Sequence, residues 1–291
     1  MGQVVTVMNM KGGVGKTTVA IHVAGMLTRM VRTGAPPVKV LAIDYDPQFN
    51  LSQAYLPAKT YFDLEKQRKT SISILLEDDS DLNPYQLQVP GNHKPPPVST
   101  LATRVMTMHG GNIFDIIPST LDLMYVALGQ ANANTKPIEE RFQKFINECR
   151  EQYDYIFIDC HPAGSLFTKT ALQNSQHVLI PVSPQKFSTR GIGLMMEFIR
   201  AKGGVGPAVT PHILFNLAPR TGISKQESEI RSNPRYGKYC LDRTLKKYKA
   251  FSDPEGGKGF VWHSSASYST EAYLNLRAVT AEFISKIGAS K

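Results

Sequence analysis

The sequence predicts an α/β fold: a single doubly wound, mainly parallel sheet with helices on both faces. Three observations predict it. Runs of consecutive apolar residues, Val4-Val5-Thr6-Val7-Met8 and Tyr155-Ile156-Phe157-Ile158 among them, read as strands buried on both faces. Six such runs alternate with segments of helical spacing, the pattern of a parallel sheet. A glycine-rich turn, Lys11-Gly12-Gly13-Val14-Gly15-Lys16-Thr17-Thr18, stands between the first strand and the first helix.

Composition narrows the class. The chain has 291 residues, 42% hydrophobic, and no composition break, so residues 1–291 read as one domain. No run approaches the roughly 20 apolar residues of a membrane span. The sequence enters its first strand directly, leaving no room for a leader peptide. Cys149, Cys160 and Cys240 are odd in number and widely spaced, which argues against disulfides, zinc or a cysteine-held cluster. A reduced, cytoplasmic protein is expected. Net charge is +9, and residues 186–260 form the basic part: Lys186 to Lys258 hold 14 Lys/Arg against 6 Asp/Glu. Such a region suits a polyanion, nucleic acid or anionic lipid, or forms a solvated basic surface.

Taken in order, the turn after the first strand has the context of a phosphate-binding loop. Glycines let backbone N–H groups curl around an anion at the positive end of the helix Val19–Leu27. In that geometry Lys16 reaches the β- and γ-phosphates and the Thr17 hydroxyl sits on Mg²⁺. The strict spacing G-x-x-x-x-G-K-[ST] fails, because its first glycine would fall at Met10. What stands instead of the strict pattern is a second lysine, Lys11, beside the paired Gly12-Gly13.

That loop resembles the deviant Walker A box of the ParA/MinD family of P-loop ATPases. The resemblance implies ATP and Mg²⁺ as cofactors, with the nucleotide held by Gly12, Gly13, Val14, Gly15, Lys16, Thr17 and Thr18. It also implies a homodimer closed around ATP, Lys11 of each copy reaching the phosphates of the other.

The second strand, Val38–Ile43, ends in Asp44-Tyr45-Asp46-Pro47-Gln48. Carboxylates at a strand's C-terminal end lie where α/β folds bind ligands, although D-x-D there is also a common turn. The segment resembles the family's D-x-D-P-Q. By that likeness Asp46 positions the attacking water, Asp44 supports hydrated Mg²⁺, and Gln48 and Asn50 belong to a γ-phosphate switch. Residues 52–110 are less transparent. Ser71–Leu76 starts a short helix, and Pro90–Pro97 is a proline-rich exposed loop or a docking element. Ile113–Pro118 is a strand, with Ser119 or Thr120 capping the next helix. A helix over Pro137–Gln152 leads into Tyr155–Asp159, a Walker B strand whose Asp159 would hold Mg²⁺ through water. His161 replaces a proline of the family's D-x-P-P, as a tolerated variant or a catalytic group.

Val178–Val182 and Pro211–Asn216 complete the six strands. Asn216 either contacts adenine, as a residue at this strand end does in related ATPases, or closes a turn. Helical patterns follow at Ile223–Tyr236 and Thr270–Ile287, the latter a core stripe with too short a tail for a membrane anchor. In ParA proteins two arginine positions carry non-specific DNA binding. The matching residues are Arg220 and Arg243, with Lys246, Lys247 and Lys249 close by.

The reading is an ATP hydrolase that dimerises with ATP and binds non-specific DNA. Lys11, Lys16 and Asp46 are its catalytic residues. A ParB-like or other adaptor protein would stimulate it to partition a plasmid, chromosome region or other cargo, in the cytoplasm on the nucleoid. The alternative is a nucleotide-gated adaptor that recruits a protein with no DNA role. A metabolic P-loop ligase would need a small-molecule acid site that the sequence does not reveal.

Overall fold

A computed structural model describes residues 1–30, 36–77, 94–108, 110–127, 135–160, 166–185, 188–202, 209–252 and 254–288. The chain begins β1 (Gln3–Val7), α1 (Lys16–Arg29), β2 (Lys39–Tyr45), α2 (Asn50–Tyr55), α3 (Ala58–Lys66) and α4 (Ile72–Leu75). It continues α5 (Val98–Leu101), β3 (Thr103–Thr107), β4 (Ile113–Ile117), α6 (Leu123–Ala127), α7 (Lys136–Gln152), β5 (Tyr155–Cys160) and α8 (Leu166–Gln173). Last come β6 (His177–Val182), α9 (Ser188–Lys202), β7 (Thr210–Phe215), α10 (Lys225–Arg231) and α11 (Ser269–Gly288).

The strands form one sheet in the order β3-β4-β2-β5-β1-β6-β7. Every neighbouring pair is parallel except β3–β4. The central strands are apolar on both faces because each face carries helices. On one face α7 presents Ile138, Phe142, Phe145, Ile146 and Cys149, spaced for a helix and all buried. Each phenylalanine there contributes about 1.5–3 kcal/mol through area removed from water. On the other face α1 is buried along Val19–Thr28, on nearly every side, because it lies between the sheet and α11.

Six strands were expected and seven are present among the described residues. The additional one, β3, is an antiparallel edge strand, mostly half-exposed, with an irregular register between Arg104 and Met106. An edge strand of this kind carries neither a continuous apolar run nor clean alternation. It is fixed to the sheet by the Arg104–Asp115 ion pair, and Tyr153 donates to Asp115 at 2.7 Å. The helix expected over Ile223–Tyr236 is shorter. Ser224 caps α10 by accepting from Glu227 N at 3.1 Å, and Pro234 follows its end. Three 3₁₀ turns then lead to α11. Residues 90–93 of the proline-rich stretch and His161 lie outside the described residues.

Candidate nucleotide site

β1, β2, β5 and β7 end on the same side of the sheet, and their last residues deliver the predicted groups together. Gly13 and Gly15 take left-handed backbone angles, φ 71° and 77°, that a side chain would strain. Gly15 caps α1, with Val19 N bonded to its carbonyl at 2.9 Å. A Cβ on Gly15 would stand 2.4 Å from Asn216 Nδ2.

Two asparagines hold this loop to the sheet. Asn216, at the end of β7, donates through Nδ2 to Val14 O at 2.8 Å, and both residues are buried. Asn9, at the end of β1, donates to Pro181 O at 2.7 Å and accepts from Lys11 N at 3.0 Å. That second bond is an Asx turn, and it bends the chain where the strict motif has glycine. The Asn216 amide nitrogen is thus engaged by the loop carbonyl.

The two lysines diverge. Lys16 is half-buried, and its Nζ lies 3.5 Å from Lys11 O. Burial lowers its pKa, while the negative charges of Asp159 and Asp46 work the other way. Lys11 is exposed and its Nζ donates to Gln185 Oε1, a neutral partner, at 3.3 Å.

Asp44 and Asp159 are register partners on neighbouring strands, each almost wholly buried. Their environments differ sharply. Asp44 accepts from Ser52 N at 2.8 Å, Ser52 Oγ at 2.6 Å and Asp46 N at 3.3 Å. Burial nevertheless pushes its pKa up to about 7. Asp159 has the Thr17 hydroxyl nearby, yet among the described residues neither of its oxygens finds a hydrogen-bond partner of normal geometry. Burial first, and then the neighbouring charge of Asp44, raise its pKa well above the carboxylate range.

Two unsatisfied, buried carboxylate oxygens beside a threonine hydroxyl fit a divalent cation. Among the described residues no cluster of three or more His, Cys, Asp or Glu could hold a metal by itself. Such a poor protein cage suits Mg²⁺, which keeps waters and takes phosphate oxygens. Asp46 lies just past β2, where its Oδ1 accepts from Gln48 N at 3.0 Å and its carbonyl from Phe49 N at 2.9 Å. It opens a turn that Phe49 closes with φ 44°, a strained angle for a non-glycine residue.

Beside Thr18 and Asn216 opens a cleft of about 860 Å³ that also meets Leu217, Tyr248, Phe251 and Tyr268. Arg220, Lys246, Lys247 and Lys249 line it too. The Arg220 guanidinium lies 4.4 Å over the Tyr268 ring, and Lys246 Nζ donates to Arg220 O at 2.8 Å. Arg243 is exposed and apart from that lining, its backbone N held by Glu282 Oε2 at 2.7 Å.

Sequence reasoning missed Asn9, Ser52 and Gln185. Asn9 stands two residues before the glycine-rich turn, the one signal that could have marked it. Ser52 and Gln185 meet Asp44 and Lys11 only through folding.

A strand, a phosphate loop and two strand-end aspartates define a P-loop nucleotide-binding protein. The family model AAA_31, described as an AAA domain, matches residues 2–205, and the chain belongs to that family. Within it the chain is a P-loop ATPase of the ParA/MinD type. It is 26% identical over 284 residues to the sporulation initiation inhibitor protein Soj of Bacillus subtilis, covering 95% of this chain and 97% of Soj. An uncharacterized Methanocaldococcus jannaschii protein is 32% identical over 196 residues, 67% of this chain and 64% of that relative's length. Among solved structures, pNOB8 ParA superposes with TM-score 0.71 at 18% identity, covering all of both chains. Its form bound to nonspecific DNA gives 0.65 at 19%, again covering all of both chains. No helix among the described residues is long and apolar enough to cross a membrane.

Proposed function

We propose that this chain is a ParA-like partition ATPase that hydrolyses ATP to ADP and phosphate within an ATP-closed homodimer. One observation carries the reading: of the two lysines on one phosphate loop, Lys16 turns inward toward Asp159 and Asp46 while Lys11 stays exposed. An exposed second lysine on the phosphate loop supports the reading that it serves the phosphates of a second copy.

In this reading the phosphates lie along Gly12–Thr18 and the nucleoside extends into the cleft beside Asn216. Thr17 and Asp159 hold Mg²⁺, Asp159 through water, and Asp44 anchors its hydration. When bound, Mg²⁺ neutralises charge between the β- and γ-phosphates. Lys16, with Lys11 of the second copy, stabilises the charge that develops as the γ-phosphoryl leaves. Asp46 orients the attacking water. The dimer then binds non-specific DNA through Arg220, Arg243, Lys246, Lys247 and Lys249, and a ParB-like or other adaptor stimulates hydrolysis and release. The pNOB8 ParA complex with nonspecific DNA supports the DNA-binding part of this reading.

A second reading, the nucleotide-gated adaptor without DNA, is favoured by one observation. Arg220, Lys246, Lys247 and Lys249 share the cleft beside Asn216, so these cations are available to the nucleotide. The Lys11→Ala variant tests what both readings share. It is expected to bind ATP with wild-type affinity and to remain monomeric; an ATP-dependent dimer in that variant refutes the role of Lys11.

A further inference from the structure

We propose that Ser52 is a positioning residue that fixes the Asp44 carboxylate toward the metal. The inference rests on the nucleotide site proposed above and extends it to a residue outside the motifs. Ser52 is fully buried in the first turn of α2. Its hydroxyl donates to Asp44 Oδ2 at 2.6 Å, and its backbone N donates to the same oxygen at 2.8 Å. The hydroxyl oxygen also accepts from Ser119 N at 2.9 Å.

With Ser119 N–H on one lone pair of the hydroxyl oxygen, turning the Ser52 side chain away from Asp44 would break both buried bonds. With Asp46 N on Oδ1, the carboxylate is held from both sides. Asp159, its register partner, receives no such bonds from the described residues. The division follows from this contrast: Asp159 keeps lone pairs for the metal's shell, and Asp44 is a fixed acceptor behind it. Ser52 also ties that acceptor to the loop after β4, because Ser119 follows Pro118, whose carbonyl accepts from Ser71 N at 2.7 Å. Ordering of α2 and of this loop is thereby coupled to the metal's surroundings.

The experiment measures binding of the fluorescent analogue mant-ATPγS to the full chain with and without Mg²⁺, alongside thermal midpoints. Ser52→Ala is expected to raise the Mg²⁺ concentration for half-maximal tight binding by about 10-fold, the low end for a residue that orients a metal's surroundings. Affinity without Mg²⁺ should stay within about 2-fold, since the phosphate loop is untouched. Ser52→Thr keeps the hydroxyl and should restore the Mg²⁺ dependence, which separates positioning from a folding defect. In an Asp44→Asn background, Ser52→Ala should add less than about 2-fold. Equal losses with and without Mg²⁺, failure of Ser52→Thr to restore, or additivity with Asp44→Asn would each overturn the proposal. A wild type that binds mant-ATPγS with no Mg²⁺ enhancement refutes the metal site itself, and Ser52's role with it.

Discussion

The Asn216 side chain offers the sharpest test of how the phosphate loop is held. Asn216→Ala removes the 2.8 Å bond to Val14 O and leaves that buried carbonyl without its donor. A net hydrogen bond is worth about 1 kcal/mol, and an abandoned buried partner costs about 1–3 kcal/mol. Where the loop opens rather than the whole chain, this loss falls on ligand affinity, about 5- to 150-fold. Asn216→Asp is worse at neutral pH, because a carboxylate oxygen replaces the donor against a carbonyl oxygen. Lowering the pH should partly restore it, since a protonated carboxyl can donate. Calorimetric titration with ATP and with inorganic tripolyphosphate distinguishes pinning of the loop from contact with the base. Pinning predicts the same fold-loss for both ligands, with circular dichroism unchanged. If tripolyphosphate binding survives while ATP binding falls, Asn216 acts on the nucleoside and the pinning argument is refuted.

Two further outcomes concern buried charge. Asp159→Asn removes a carboxylate whose pKa is raised by burial and by Asp44. A raised carboxyl destabilises the fold as pH rises through its window above the ordinary value. The nucleotide-free variant should therefore be more stable than wild type in urea at pH 7.5, while losing Mg²⁺-enhanced nucleotide binding. His22 has the opposite sign. It is buried among Phe251, Phe260 and Trp262, and burial lowers its pKa from 6.5 to about 4. The folded state then binds fewer protons than the unfolded one between those values, so stability is full above pH 6.5 and falls toward pH 4. His22→Phe should remove up to about 3 kcal/mol of that acid-side loss; an unchanged slope of stability against pH would contradict a neutral buried imidazole.

The sequence showed those parts of the site whose chemistry is contiguous. Lys11 to Thr18, Asp44 and Asp46, and Asp159 each sit on one short segment, and periodicity placed each at a strand end. The partners that hold them were hidden, because they come from distant segments. Asn9 reaches Pro181 across 172 residues, Lys11 reaches Gln185 across 174, and Ser119 reaches Ser52 across 67. Nothing in local spacing encodes such pairs. β3 was hidden for another reason, since an edge strand facing solvent needs no apolar run. The basic residues were visible as charge alone. Only the fold separates Arg243 from the four cations gathered at the cleft.

The central claim is that ATP closes two copies into a dimer that binds DNA. Its most direct test is size-exclusion chromatography with light scattering on the Asp46→Ala variant, with Mg²⁺-ATP and a short random-sequence duplex. The account predicts a species of twice the 32.2 kDa monomer mass that forms only with ATP and carries the duplex. A monomer under every condition would contradict it, and a dimer that ignores DNA would leave the adaptor reading in its place.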